Sequence, residues 1–487
     1  MTRLFNSTAN CFLSRARRGA LLLALGAAGP AAWGQSFGPV STYNVGTTDP
    51  NSVALGDMNG DGRLDIVTVN PSAASVGVLL GQVGGGFGNP TFYPAGGPTT
   101  APLAGVAVGD LNADGRLDIV MSSATTNAVA VLLGQAAGGF ASAVFYSTGA
   151  FSGPAGLTLG DVNRDGRLDI VTANLNSSTV GVLLGQAGGT FAPAMQYGFS
   201  STLSFTGVAL GDMNGDSWPD IVTVTAGATS VGVLLGQAAG GFAAATQYPT
   251  GANSNNLTNV TNLVLSDVNQ DGRLDIVTAN YRGANVAVLL GQATGGFGAA
   301  ISYSTGSTPL TAVVGDVNGD GQADIVTANF GASANTASVL LGQPGGTFAA
   351  AVQYNIGSPG IVRSIALGDV NGDRRLDIVT TTTNTGSGTA GVFLNTGTYT
   401  PLSTARTATA VDITLSPNPA HDAFTVSLPA GAAATPAELL NALGQVVRRP
   451  AAAGAQFTVE TAGLAPGVYS LHLSTGAGSL TKRVVVE

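Results

Sequence analysis

The chain has 487 residues, 44% of them hydrophobic and only 9% charged, with 71 glycines and a formal net charge of -9. This excludes a disordered polymer, which is polar and highly charged, and it allows a large buried core. An acidic balance with a single lysine, Lys482, and no basic stripe also excludes a nucleic-acid-binding surface.

In chain order, the first element spans residues 1–34. Arg3, Arg15, Arg17 and Arg18 precede the apolar run ALLLALGAAGPAA and then the small-residue stretch AWGQ, the order of a secretory signal peptide cut after Gly34. A membrane anchor is the alternative, but the run is shorter than the ~20 residues of a spanning helix, and no other stretch is long and apolar enough. Cys11, the only cysteine, precedes the apolar core. The mature chain would therefore have no thiol for disulfides, metal ligation or nucleophilic attack.

Residues 35–405 contain seven copies of one pattern, GDMNGDGRLDIVTVN in the first, whose leading aspartates are Asp57, Asp110, Asp161, Asp212, Asp267, Asp316 and Asp369. A period near fifty residues points to a repeat architecture. Each copy holds four short runs rich in β-branched and aromatic residues, such as SVALGD, LDIVTVN, SVGVLLGQ and FGNPTFYP, bounded by glycine or asparagine. The expected fold class is all-β: a seven-bladed β-propeller of four-stranded blades, followed by a small C-terminal β-sandwich. A β-solenoid is the alternative, although such coils usually run at shorter periods. SFGPVSTYNVG, residues 36–46, resembles a fourth strand placed before the first copy, and the last copy has a weaker one near TYTPLSTA. One fourth strand is thus surplus, and the N-terminal one is expected to close the ring.

In D-x-N-x-D-G-x-x-D, positions 1, 3 and 5 aim oxygens at one centre, the glycine permits a sharp turn, position 7 offers a carbonyl and position 9 closes the cage. Crowded hard oxygens suit calcium, which takes six to eight of them at ~2.3 to 2.6 Å. In the first copy the donors are Asp57, Asn59, Asp61, the Arg63 carbonyl and Asp65. The second copy offers Asp110, Asn112, Asp114, Arg116 and Asp118, and the third Asp161, Asn163, Asp165, Arg167 and Asp169. The fourth has Asp212, Asn214, Asp216, Trp218 and Asp220, and the fifth Asp267, Asn269, Asp271, Arg273 and Asp275. The sixth has Asp316, Asn318, Asp320, Gln322 and Asp324, and the seventh Asp369, Asn371, Asp373, Arg375 and Asp377. These loops concentrate 21 of the chain's 27 acidic residues, which repel one another unless a cation is bound. Up to seven Ca²⁺ are expected. Ser217 and Arg374 replace the glycine after position 5, so those two sites should be weakest if the turn needs a positive φ. Solvated acidic turns without an ion are the alternative.

Seven copies of D-x-N-x-D-G-x-x-D-I-V with a following L-L-G-Q and G-G-F resemble FG-GAP (VCBS-type) repeats, as in the propeller heads of integrin α chains. The resemblance covers residues 36–405. It implies a calcium-stiffened propeller that binds proteins or glycans.

Spacing between the glutamine of LLGQ and the fourth-strand tyrosine is constant at 11 in six copies, whereas the link from that tyrosine to the next leading aspartate varies from 13 to 19. In a meandering blade those links emerge on the face opposite the calcium loops, and loops on a rigid scaffold commonly carry binding. Leu175, Tyr281 and Phe330 follow the second strand on that face, with Arg282 beside Tyr281; Phe151, Phe199 and Arg363 are assigned to the inter-blade links. They are the candidate ligand-binding residues, with packing between blades as the competing role for each. No catalytic residue is assigned, because residues 35–405 contain neither histidine nor cysteine and, outside the loops, only Asp49 as an acid.

After a threonine- and alanine-rich linker at 406–410, residues 411–487 change pattern. SPNPAHDAF, LGQVV, GLAPGVYSL and KRVVV resemble the C-terminal sorting domain of the Bacteroidetes type IX secretion system. That resemblance implies the type IX machinery as partner, and a product released or attached to the outer-membrane surface. An ordinary accessory sandwich is the alternative. His421 and His472 fall here without a metal-binding spacing. The leading functional expectation is a secreted or cell-surface adhesion protein for an extracellular glycan or protein, without a transmembrane helix; the rival is an extracellular calcium-dependent polysaccharide lyase or hydrolase.

Overall fold

The computed structural model describes residues 36–46, 49–95, 105–198, 204–226, 230–251, 260–293, 296–330, 336–356, 360–383, 388–397, 414–416, 420–428, 434–440, 446–450, 456–462, 464, 467–475 and 478–486. The expected signal peptide, the 406–410 linker, the TYTPLSTA stretch and Phe199 lie outside them. The chain divides into two compact units, Met1–Tyr399 and Thr400–Glu487.

The first unit is built from four-stranded antiparallel sheets. In the first sheet Ser52–Gly56, Asp65–Asn70, Ser75–Leu79 and Thr91–Pro94 pair in chain order. Five more sheets, opening at Val106, Pro154, Ser204, Val260 and Pro309, repeat that order. A seventh joins Ile361–Gly368, Asp377–Thr383 and Thr389–Phe393 to Ser41–Asn44, which pairs antiparallel with Thr389–Phe393. The opening strand of each sheet packs against that of the next, and Ile361–Gly368 returns to Ser52–Gly56, so the sheets form a closed ring. This is a β-propeller. The N-terminal segment supplies the outer strand of the last sheet, as the surplus strand at 36–46 anticipates.

Six of the second strands are buried along their whole length, as in Asp65–Asn70, which explains the unbroken run DIVTVN where a half-exposed strand would alternate. Successive side chains point to opposite faces. Val67 and Val69 therefore pack against Ile119 and Met121 of the next sheet, while Ile66 packs against Val379 of the previous one. The core thus lies in the layers between sheets. Gly56 permits this approach: a Cβ there would stand 2.7 Å from the Leu117 side chain of the following sheet.

A second contact repeats between sheets. The fourth-strand tyrosine meets the phenylalanine of the next G-G-F-type hairpin edge to face, as in Tyr93 with Phe140 at 4.9 Å between centroids and 81° between planes. Tyr43 with Phe87, Tyr146 with Phe191, Tyr197 with Phe242, Tyr248 with Phe297 and Tyr303 with Phe348 repeat it. Tyr354 finds its partner in Phe37, at 5.1 Å and 85°. Phe37 bridges to Asn395 as Phe87 does to Gly81. Residues 36–46 thus replace both the hairpin phenylalanine and the outer strand of the last repeat.

The second unit contains a three-stranded sheet, Thr414–Ser416, Ala423–Ser427 and Gln456–Glu460, and a four-stranded one of Val446–Arg448, Ala434–Leu440, Gly467–Thr475 and Gly478–Val486. One core that includes Phe424, Val459, Leu439, Leu471 and Val484 joins them as a small β-sandwich.

Replacing Phe37 by alanine should remove the aromatic lock at the ring's seam. The expected loss is about 1 to 3 kcal/mol in urea unfolding, below the range for a fully buried phenylalanine because Phe37 is half-exposed. Val83→Ser, at a residue 89% exposed, is the control. Equal stability of the two variants would show that this contact does not hold the ring closed.

Candidate metal loops and binding face

Each acidic loop joins the first and second strands of a sheet, so all seven open on one face. In the first, Asp57 accepts from the Asp61 and Gly62 N–H groups at 3.0 and 2.7 Å. Asn59 also accepts from Asp61 N–H at 3.0 Å, and Asp61 accepts from Arg63 N–H at 2.9 Å. Asp65 is fully buried. It accepts from Met58 N–H at 2.8 Å and from Gly81 N–H, at the end of the third strand, at 2.7 Å. Thus one carboxylate ties two turns of the sheet together. Asp118, Asp169, Asp220, Asp275, Asp324 and Asp377 do the same.

The position after the fifth residue is left-handed throughout, with φ of 83° at Gly62, 71° at Ser217 and 67° at Arg374. The backbone strain foreseen for Ser217 and Arg374 is therefore present. The fourth position is left-handed too, including Ala113 at 59°, Arg164 at 60° and Gln270 at 60°. Sequence reasoning missed these, because non-glycine residues there conceal the turn.

It also missed the seventh-position arginines as side chains. Arg63, Arg116, Arg167, Arg273 and Arg375 each pair with the fifth-position aspartate of their own loop. Arg63 also donates to the Gly81 carbonyl at 2.9 Å, and Arg167 to that of Gly185 at 3.0 Å. The two loops lacking this arginine connect to a neighbour instead. Arg164 stands 5.4 Å over the Trp218 ring, and Gln270 donates to the Gly321 carbonyl.

Burial pushes the Asp324 carboxyl up to about 7 and those of Asp169, Asp220 and Asp377 up to about 6; their two N–H donors oppose this, and the other acids of each loop reinforce it. Asp65, Asp118 and Asp275 are raised for the same reasons. Asp61 is held below the ordinary carboxylate value, chiefly by the Asn59 side chain.

Three carboxylates, an amide oxygen and a carbonyl per loop make a hard-oxygen donor set, which fits calcium chemically. As placed, the carboxylates turn onto the loop's own N–H groups, and among the described residues no three acidic, histidine or cysteine side chains lie close enough to hold a metal.

The opposite face carries the other candidates. Tyr281 and Phe330, from neighbouring sheets, lie 6.1 Å apart with planes tilted by 32°, and Arg282 beside them is exposed. Leu175, half-buried, donates its N–H to the Gly153 carbonyl. Phe151 is 82% exposed. Both belong to the third sheet or the link into it, two sheets away from Tyr281. The structure therefore brings together only part of the expected group.

Arg363 is not in a link. It lies in the opening strand Ile361–Gly368 and lines an axial cavity of about 290 Å³, to which all seven opening strands contribute. Burial lowers its guanidinium pKa, with Asp49 and Tyr281 opposing. A sequence signal for this place exists: six residues before the leading aspartate the other copies carry Asn51, Ala104, Ala155, Thr206, Thr261 and Leu310, and only the seventh an arginine.

The sequence matches the FG-GAP-like repeat family over residues 57–121, 110–172, 161–223, 267–327 and 329–380. These segments cover more than half of the chain, which belongs to that family. Residues 414–487 match the secretion system C-terminal sorting domain. This tail indicates secretion or attachment at the cell surface, and among the described residues no helix is long and apolar enough to cross a membrane. No curated protein sequence matches the chain. Among solved structures, a catalytically inactive virginiamycin B lyase from Staphylococcus aureus, crystallised with quinupristin, gives a TM-score of 0.50 at 13% identity, covering 74% of this chain and 100% of that one. BBS1N in complex with ARL6DN gives 0.50 at 11%, covering 74% and 98%. At these identities the likeness concerns the fold alone.

The raised aspartates set the direction of the pH response in chelator. Between about 4, where the unfolded carboxyls lose their protons, and 6 to 7, where the buried ones do, the folded state holds more protons. Stability therefore falls as pH rises through that window. With EDTA present the melting temperature should be several degrees higher at pH 5 than at pH 7.5, as read by scanning calorimetry; a higher value at pH 7.5 would contradict this.

Proposed function

We propose that the protein is a non-catalytic binding or adhesion module, stiffened by calcium at the acidic loops, that recognises an extracellular glycan or protein through the opposite face. One observation carries this reading: the seven acidic loops follow the opening strands at one end of the sheets, while the starts of those strands, which line the axial cavity, and the Tyr281–Phe330 pair lie at the other. A scaffold whose repeated chemistry is confined to one side leaves the second side free to diverge for recognition. The loops around Ser217 and Arg374 would bind calcium most weakly, because left-handed backbone at a residue with a side chain opposes a tight turn.

Each ion would be held by the first, third, fifth and ninth side chains and the seventh carbonyl, and would supply the positive charge that three carboxylates lack. Millimolar calcium should then raise the melting temperature at pH 7.5 and reverse the pH slope seen in chelator. Elemental analysis should find up to seven calcium ions per chain. Metal-free protein whose melting temperature is unchanged by EDTA would contradict the calcium reading.

Retention on an array of glycans and matrix proteins tests the binding role. Joint Tyr281→Ala and Phe330→Ala substitution should lower retention at least tenfold with little change in melting temperature. Unchanged retention would move the site elsewhere, and release of cleaved glycan would favour the lyase or hydrolase instead.

A further inference from the structure

The axial cavity contains a charge that no acid pairs with directly among the described residues. Arg363 is half-buried, its Nε is sealed from solvent without a hydrogen-bond partner, and it makes no ion pair among the described residues. Across the cavity wall the Thr311 hydroxyl is likewise buried and unpartnered. The nearby acid, Asp49, is engaged by Ser72, whose hydroxyl and N–H both donate to it, and it acts on Arg363 only through its field. A desolvated guanidinium with an empty donor is costly unless an acceptor fills it, and the acceptor that suits it best is an anionic, planar one.

We infer that this cavity binds the carboxylate of an acidic sugar, a uronic acid, with Arg363 as the donor. The inference deepens the binding role proposed above by naming the ligand class. The carboxylate would accept from the terminal N–H groups of Arg363, because Nε and the Thr311 hydroxyl are sealed from solvent and out of a ligand's reach. Ser52, Thr206, Ser364 and Asn262 also line the cavity; the Thr206 hydroxyl already donates to the Val260 carbonyl and Asn262 Oδ1 accepts from Ala312 N–H, which leaves the Ser52 and Ser364 hydroxyls and the Asn262 amide N–H groups for the ring hydroxyls of a sugar. The volume of about 290 Å³ lies at the small end for ligand clefts. It suits one sugar unit at the axis better than a folded peptide.

The test is calorimetric titration of the full chain in calcium-containing buffer with trigalacturonate, its methyl ester, monomeric galacturonate, acetate and an acidic peptide. Trigalacturonate should bind more tightly than the monomer, the ester should bind at least tenfold more weakly, and acetate should not compete at equal concentration. Arg363→Met should reduce trigalacturonate affinity about 10- to 100-fold, the loss expected for a hydrogen bond to a charged group. Its melting temperature should be unchanged or higher, since a buried charge is removed. Thr311→Val, which removes a hydroxyl that no ligand in the cavity can reach, should leave the affinity unchanged. Equal affinity for acid and ester, competition by acetate, or an Arg363→Met variant that binds as well as the native chain would each overturn the assignment. Retention of a neutral glycan, or of the acidic peptide in place of trigalacturonate, would overturn it while leaving the broader binding role standing.

Discussion

The ninth-position aspartate is the constraint on which the propeller depends. In every sheet this carboxylate is removed from water and accepts two backbone N–H groups, one from the acidic turn and one from the end of the third strand. Backbone donors at those turns would otherwise be buried without partners. Apolar second and third strands therefore end in a fixed polar clamp. The charge is scarce elsewhere because the remainder of each sheet packs between two neighbours, where a charged side chain would have no partner.

The clamp creates a difficulty of its own. Burying one carboxylate beside two others raises the cost of keeping it ionised, as the upward shifts of Asp324 and Asp169 indicate. Five loops place an arginine on the fifth-position aspartate, which offsets part of the repulsion. One guanidinium against three carboxylates leaves an excess of acid in those five loops, which the proposed calcium would balance. Ring closure meets a different requirement. A propeller with an open seam exposes two sheet edges, and residues 36–46 cover the last one with both a strand and the Phe37 ring.

Under the proposed binding role, recognition would follow from where the repeat is broken. On the acidic face the same bonds recur seven times, so a change in one loop costs stability. Toward the axis, the corresponding residues range from Ala155 to Leu310 and Arg363, and there a single substitution introduces charge without disturbing the hydrogen bonds of the sheets. Repetition supplies the frame, and the exceptions supply chemistry.

Much of this was legible in the sequence, because its signals are local. The period of the aspartates, the apolar second strands and the turn chemistry at Ser217 and Arg374 all depend on residues a few positions apart. So do the sheet architecture and the sorting tail. The pairing of Tyr354 with Phe37, and the meeting of Tyr281 with Phe330, join residues that are neighbours only once the ring has closed or the sheets have stacked. Arg363 resembled a link residue in the linear chain. It became part of an axial cavity only when seven opening strands converged, since a cavity at the centre of a ring belongs to no single repeat.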